Sequence, residues 1–436
     1  LFLEINEGGT EVALEDYLRD MKRCTRCSYC KWIPLAHVKS RRFAKGCPSV
    51  EYHNFQSYSA CGKISLALAI LYGRFDYSDS VKLLDIVYKC MLDGLCDVSC
   101  KVCRYNMEPL EILRELRFKL VEDGQLLPRH APLIESLRNE NNLVAKPKAE
   151  RAGWADGLEL RDLTKDKAEV VFHAGCSLSF DKELLNVART AVTILKNAGV
   201  DIGIMGREEG CCGGRVYDMG YRKEFISCAE KNIAAFKQAG VKVVVTSCAD
   251  CYHAFKRLYP ALGSSFEVLH TVEFIARLIK EGKIHFTKTL PLKVTYHDPC
   301  HLGRRGEPYV PWKGREKKVR QQIVVYDPPK PRYSGAWGIY DPPREVLKSI
   351  PGLELVEMER TREYAWCCGA GGGVREAYPD FSSWTAQERI DEAGATGASV
   401  LVTACPWCER NFIDAISKKG DRLKVYDIVE LVQEAI

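Results

Sequence analysis

A chain of 436 residues is long enough for about three domains. Its 46% hydrophobic and 28% charged residues are a globular balance with ample material for buried cores. The longest largely apolar run, residues 64–71, is far short of the roughly 20 residues of a membrane span. No secretory-signal pattern precedes the first helical segment, and the chain opens on Leu1 rather than Met, which leaves its true N-terminus open. The net charge of +5 is too small to point to nucleic acid. The decisive count is 20 cysteines, clustered at ligand-like spacings in a long chain, which reads as metal or cluster chemistry in a reducing cytosol rather than a secreted disulfide scaffold.

In chain order, segments around residues 16–21, 64–72, 83–87 and 108–121 are predicted helical, with nine cysteines between Cys24 and Cys103 in and around the intervening loops. Residues 31–46 carry five Lys/Arg and no acid, and read as a basic loop. Residues 125–167 have no cysteine and many charges, and are expected to link domains while carrying a helix or two. From residue 168 the sequence repeats itself. The stretch ending at Cys176 matches that ending at Cys300; Cys211-Cys212-Gly213 matches Cys367-Cys368-Gly369; Val243 to Cys251 matches Val400 to Cys408. The offset grows from 124 to 156–157, so the second copy holds an insertion of about 32 residues. Residues 306–338, with five prolines and seven Lys/Arg against three acids, are the candidate, expected as an extended loop suited to an acidic partner. Each copy alternates β-branched runs with amphipathic helices, the pattern of βα units on a mostly parallel sheet. Cys176, Cys248, Cys300 and Cys405 each follow a predicted strand, where such sheets gather ligands.

Five cysteines per copy, two of them adjacent, suit a single tetrahedral zinc poorly and a multi-iron cluster well. The doubled Cys…Cys-Cys-Gly…Cys-x₂-Cys pattern resembles the CCG cysteine-rich domain of heterodisulfide reductase catalytic subunits, over residues 168–436. The N-terminal cysteines extend the resemblance, in the order of the fused, D-type form of that subunit, to nearly the whole chain. It implies an α+β multidomain protein: an α-helical two-cluster ferredoxin-like domain (1–124), a linker (125–167) and two tandem α/β CCG modules (168–285 and 286–436). It further implies that Cys176, Cys211, Cys212, Cys248 and Cys251 hold one non-cubane [4Fe-4S] cluster and Cys300, Cys367, Cys368, Cys405 and Cys408 another.

The N-terminal region is similar to two-cluster ferredoxins, in which the fourth cysteine of each motif serves the other cluster. Cys24-x₂-Cys27-x₂-Cys30 fits, with Cys47-Pro48 as a distant fourth member; the second motif, Cys90, Asp93, Cys96, Cys100, has aspartate where the second cysteine belongs. Crossing gives Cys24, Cys27, Cys30 and Cys100 for one cubane and Cys47, Cys90, Asp93 and Cys96 for the other. Cys103 is the alternative to Asp93, or that corner is open. Cys61 and Cys228 have no place in these patterns and read as buried thiols. His173 and His297 are equivalent and suggest a shared architectural hydrogen bond. His301 beside Cys300, matched by Ser177, is the candidate proton donor. Trp366 and Trp407 are expected to pack over the second cluster.

The resemblance implies an oxidoreductase subunit moving electrons through two cubane and two non-cubane clusters, with disulfide or thiol chemistry at the latter. The rival is a pure relay between a flavin-containing partner and another reductase, such as an aromatic-ring or acyl-CoA reductase; a zinc-binding module is a remote third. No nucleotide-binding glycine motif follows a strand, so a flavin would sit on a separate chain. Expected partners are other subunits of a redox complex, flavin-containing or iron–sulfur, and a thiol or disulfide substrate, without nucleic acid or a transmembrane segment. The expected location is the cytoplasm, or the membrane surface through a partner.

Overall fold

The computed structural model describes residues 13–78, 80–102, 107–308, 313–319, 323–329 and 333–436; Cys103 lies outside them. The N-terminal part is helical: α1 (Leu18–Arg23), α2 (Pro48–His53), α3 (Ala60–Leu71), α4 (Val81–Tyr88), α5 (Leu95–Lys101) and α6 (Pro109–Glu122). Ser59 caps α3 by accepting from the Gly62 amide. Ile64, Ala67, Leu83, Val87, Ile112 and Leu116 form the shared core of α3, α4 and α6. α6 is buried on almost every side and staples the molecule together. Its Arg117 is fully buried and donates to the carbonyls of Cys90 (2.5 Å), Asp218 (2.7 Å) and Gly372 (2.9 Å), one from each part of the chain.

The 125–167 segment holds α7 (Ala131–Glu140) and ends in a short strand, β1 (Arg161–Asp162), which joins the sheet of the first module. That module runs β2 (Val170–Phe172), α8 (Gly175–Phe180), α9 (Leu185–Asn197), β3 (Ile202–Ile204), α10 (Gly214–Asp218), α11 (Arg222–Gln238), β4 (Val243–Thr246), α12 (Ala249–His253), β5 (Glu267–His270) and α13 (Thr271–Lys280). The second runs β6 (Lys293–Tyr296), a hairpin of β7 (Arg315–Val319) and β8 (Ile323–Asp327), α14 (Asp341–Ser349), β9 (Glu354–Leu355), α15 (Val374–Ala377), α16 (Pro379–Ala395), β10 (Val400–Thr403), α17 (Pro406–Lys419), β11 (Lys424–Asp427) and α18 (Ile428–Ala435).

The sheets are parallel, ordered β1-β3-β2-β4-β5 and β9-β6-β10-β11. Without the added edge strand β1 the two orders coincide strand for strand, so the sequence repeat is a topological one. Val170 pairs with Val243 in one sheet as Val294 pairs with Val400 in the other. The modules share one continuous apolar core, with α9 packed on α18 and α13 on α14. Those two contacts exchange under the repeat, so the modules face each other about a pseudo-two-fold axis.

The 306–338 segment differs from the extended loop expected. Its middle is an antiparallel hairpin, with Lys317 opposite Val325 and Arg315 opposite Asp327. Its neck is pinned: the buried Glu307 carboxylate accepts from the amides of Gly335 (2.8 Å) and Trp337 (3.2 Å). Gly338 lies so close to Gly303 that a Cβ there would stand 2.0 Å from the Gly303 carbonyl oxygen.

Candidate metal centres

Cys24, Cys27, Cys30 and Cys100 line one cavity of about 200 Å³ in the N-terminal part. The reach from the Cys24 loop across to α5 is the crossing that the sequence implied. Cys61 lines the same cavity, which spacing did not reveal. It sits in the first turn of α3, against Cys30, accepts from Gln56 Nε2 (2.9 Å) and lies 3.1 Å from Ser59 Oγ.

Cys47, Cys90, Asp93 and Cys96 line a second, much smaller cavity with the buried Lys63, and Ala60 lines both. Burial pushes the Cys47 thiol up to about 11, opposed by the Lys63 charge. The Asp93 carboxylate is already engaged: Oδ2 accepts from Arg304 Nη2 (2.9 Å), and the Asp93 carbonyl accepts from Arg304 Nε (2.6 Å). Among the described residues Oδ1 meets only the Leu95 amide, at 3.4 Å. One carboxylate oxygen is thus tied to the second module, and the other faces the cavity's cysteines without a strong partner among the described residues.

In the modules, Cys248 and Cys405 are the N-caps of α12 and α17, Cys176, Cys251 and Cys408 sit in the first turns of α8, α12 and α17, and the two Cys-Cys pairs lie in loops. The ten thiols form one row. Cys176 meets Cys211, which is followed by Cys212, Cys251 and Cys248; Cys248 meets Cys405; and the row continues through Cys408, Cys368 and Cys367 to Cys300. It reads the same from either end, with the equivalent Cys248 and Cys405 touching at the pseudo-axis. Cys212 and Cys368 are each lowered to about 6, first by the thiol of the preceding cysteine and then by that of Cys251 or Cys408. All ten are buried. Gly175, at φ +75°, brings the backbone so close that a Cβ would stand 2.8 Å from Cys251 Sγ. The donor set fits [4Fe-4S] groups: five buried sulfurs per module, and a buried imidazole, His297, with a ring nitrogen within 4.8 Å of the sulfurs of Cys368 and Cys408. Four-coordinate zinc would leave ligands of this row unused.

His173 and His297 occupy equivalent places with different partners. Arg389 Nε donates to His297 Nδ1 at 3.2 Å, whereas His173 Nδ1 faces Glu209 at 3.8 Å. Burial lowers His173 to about 4, and burial together with Arg389 lowers His297 to about 3. Both rings are neutral, and the shared hydrogen bond expected from sequence is not formed.

His301 lies in a buried network that neither repeat contains alone. Its Nδ1 is 3.4 Å from Cys300 Sγ and 3.0 Å from Oδ1 of Asp250, a residue between the paired cysteines of the other module; its Nε2 is 3.2 Å from Asp218 Oδ2. Arg305 clamps Asp218 with contacts of 2.6 and 2.9 Å. Burial and Arg305 disfavour the imidazolium, but Asp250, Cys300 and Asp218 outweigh them and hold its pKa well above the usual histidine range. Sequence reasoning missed Asp218 and Asp250. Asp250 sits inside a Cys-x₂-Cys, a visible signal, but its partner belongs to the other copy.

Trp407 lines the cavity beside Cys300, Cys368 and Cys408, with the Arg215 guanidinium 3.9 Å from its ring centroid. Trp366 does not join it: its Nε1 donates to the Thr385 carbonyl (2.9 Å) and its ring packs against Arg360. Cys228 is half-buried and packs at the edge of the cluster containing Cys176 and Cys211.

No helix among the described residues is long and apolar enough to cross a membrane. The profile of the CCG cysteine-rich domain matches residues 170–256 and 294–413. The chain is 32% identical to the subunit designated D in the dihydromethanophenazine:CoB–CoM heterodisulfide reductase of Methanosarcina mazei, over 96% of this chain and 95% of that one. It is 28% identical to the probable iron–sulfur-binding oxidoreductase FadF of Bacillus subtilis, covering 97% of this chain and 55% of FadF. It is 28% identical to the EtfAB:quinone oxidoreductase of Syntrophomonas wolfei, covering 78% and 46%. A hypothetical protein from Helicobacter pylori shares the fold, with a TM-score of 0.53 at 10% identity over 86% of this chain and 68% of that one. The strand-end cysteine rows, the matched topology and the near-full-length identity together place the chain in the CCG cysteine-rich-domain family, as an iron–sulfur oxidoreductase subunit of the D-type heterodisulfide reductase kind.

Proposed function

We propose that this subunit carries electrons through two N-terminal cubane sites to two non-cubane sites in the modules, where a thiol or disulfide is processed. The carrying observation is the unbroken row of ten thiols with His301 held beside Cys300 by acids of the other module. [4Fe-4S] groups bound there would supply single-electron chemistry at potentials set by ligation and burial. This chain's residues order the sites. Cys27 is exposed, making the first cavity the natural point of arrival. The second cavity abuts the glycine-rich stretch after Cys368: a Cβ on Gly371 would stand 2.7 Å from the Met91 carbonyl oxygen. The cysteine pair of the second module therefore lies beside the second N-terminal site. His301 holds a proton on Nδ1 beside Cys300 and Asp250, since Arg305 Nη1 donates to its Nε2 at 2.5 Å.

The relay reading has one observation in its favour. The cavity shared by Cys300, His301 and Trp407 holds only about 10 Å³, so a substrate thiol needs a path to open. Adding small thiols, CoM among them, to oxidised, anaerobically purified protein separates the readings. Disulfide chemistry predicts a new paramagnetic signal that Cys367→Ser or Cys368→Ser abolishes while the N-terminal sites stay reducible. No thiol-dependent signal would leave the relay.

A further inference from the structure

The two modules match in topology and cysteines, yet the histidine that follows the first strand is locked by a hydrogen bond in the second and not in the first. His297 is 1% exposed. Its Nδ1 takes a hydrogen bond from Nε of Arg389, itself fully buried and held by Glu392 (2.7 Å) and the Arg360 carbonyl (2.9 Å). A guanidinium donates and never accepts, so Nδ1 is the acceptor and the single proton of the neutral ring lies on Nε2. That Nε2 is buried with no partner in the protein. Since Nδ1 is taken by Arg389, Nε2 is the nitrogen free to serve the sulfurs of Cys368 and Cys408, which lie within 4.8 Å of the ring's ligand atom. The first module supports this direction: a Cβ on Gly175 would lie 2.8 Å from Cys251 Sγ and 3.9 Å from His173 Nε2, so that nitrogen is on the cysteine side.

In the first module no such lock is formed. His173 Nδ1 is 3.8 Å from a Glu209 oxygen, too far for a hydrogen bond, and neither ring nitrogen has a hydrogen-bond partner among the described residues. Glu209 is instead taken up by Arg151 and the amides of Ala174 and Gly175. Only the second module fixes an N–H toward its sulfurs.

We propose that His297, locked by Arg389, donates its Nε2–H to sulfur on the Cys368–Cys408 side of the second module's cluster and makes that cluster the more easily reduced of the two. The inference rests on the reading that both modules hold clusters. A hydrogen bond to sulfur stabilises the extra negative charge of the reduced form and raises the potential; a ring with no partner to fix its proton, as in the first module, offers no such assured donor. Electrons arriving from the N-terminal sites then settle in the second module, beside His301, before reaching the first.

The test uses the full chain, anaerobically purified with its iron, and an EPR-monitored redox titration. His297→Phe should lower the reduced-to-oxidised ratio of the second-module signal about tenfold at a given potential, a shift of about 59 mV for one electron. His297→Gln, which keeps an N–H donor, should restore most of it, and the N-terminal signals should not move. An unmoved second-module potential in His297→Phe overturns the proposal. A measurement on the unsubstituted protein does not depend on any variant folding: with ¹⁵N-histidine, the second-module cluster should couple weakly to two histidine nitrogens, that of His301 beside Cys300 and that of His297 beside Cys368 and Cys408. A strongly coupled nitrogen would mean direct ligation, and fewer than two coupled nitrogens would mean that His297 makes no contact; either overturns the proposal. If iron is present but no module signal forms in the unsubstituted protein, the cluster reading itself has failed, and the inference with it.

Discussion

Arg304 is the most exposed test of how the N-terminal part is joined to the second module. Its side chain is 2% exposed and pairs with Asp93, 13% exposed, at 2.9 Å. At an effective dielectric of about 20, that separation corresponds to a Coulomb attraction of about 6 kcal/mol, much of it spent on desolvating the guanidinium. Removing one partner of such a buried pair costs about 3–5 kcal/mol. We take about 3, since Asp93 keeps some contact with solvent. Arg304 also holds the carbonyls of Glu363 (2.9 Å) and Ala365 (2.7 Å). These flank a turn in which Arg362 is forced to φ +54°, a left-handed conformation that costs a non-glycine residue about 1–2 kcal/mol. That turn leads directly into Cys367. Arg304→Gln should therefore open the turn locally. The amides of Tyr364 and Ala365, each bonded at 3.0 Å within it, are the reporters. With about 1.4 kcal/mol per decade, hydrogen exchange there should accelerate about a hundredfold. Asp93→Asn should give a smaller rise, because it leaves the two carbonyl contacts intact. The double variant should exceed Arg304→Gln alone by little, since the pair is already broken. Exchange at Tyr364 and Ala365 within twofold of the unsubstituted protein, or full additivity of the two changes, would refute the argument.

Anaerobically purified protein should be brown and carry about 16 iron per chain, four clusters of four; stoichiometric zinc with little iron would end the cluster reading. Mild oxidation should convert the cluster at Cys47, Cys90, Asp93 and Cys96 selectively to a three-iron form, because oxygen holds iron less firmly than thiolate. Asp93→Cys should suppress that conversion in EPR, and an unchanged spectrum would show that Asp93 is no ligand. Replacing residues 309–332 with a short linker, keeping Glu307 and Gly335 to preserve the neck, should weaken complex assembly in a salt-dependent way and spare iron content. Loss of the second-module cluster in that variant would make the hairpin structural instead.

What could be read from sequence was what local spacing carries. Cysteines after strands, a Cys-Cys-Gly turn and a Cys-x₂-Cys at a helix start recur because each is formed within a few residues, so the repeat announced the parallel βα units and the two five-cysteine sets, while the strand order and the joining of the sets into one row depend on tertiary packing. The N-terminal sets, crossed as the ferredoxin resemblance implies, each line one cavity. The residues missed are those whose partners lie in another part of the fold. Cys61 enters its cavity only because α3 packs against the Cys24–Cys30 loop. Asp250 and Asp218 meet His301 only because the modules face each other. The hairpin was missed because prolines on both sides outweighed a weak strand pattern, Arg315–Val319, made mostly of charged residues.

The pseudo-symmetry itself explains why the chemistry falls on one side. A duplicated module begins with two equal sites, and equal sites offer an electron no preferred resting place. Here the differences accumulate in the second module. His301 stands where the first has Ser177, Trp407 where the first has Asp250, and an arginine-locked imidazole where the first has a carboxylate-facing one. Asp250 is the telling case, for one of its oxygens faces Arg215 of its own module at 3.6 Å while the other faces His301 of the second. It crosses the pseudo-axis to hold the proton on His301, so the first module supplies the acid and the second supplies the thiol. An Asp250→Asn chain should therefore keep the first module's iron while His301 loses its proton at lower pH. Against that carboxylate, burial and Arg305 would pull the imidazole back toward its neutral form. NMR of the His301 ring in the diamagnetic, metal-free chain reads this directly. A titration unchanged by the substitution would mean that Asp218 alone sets the charge.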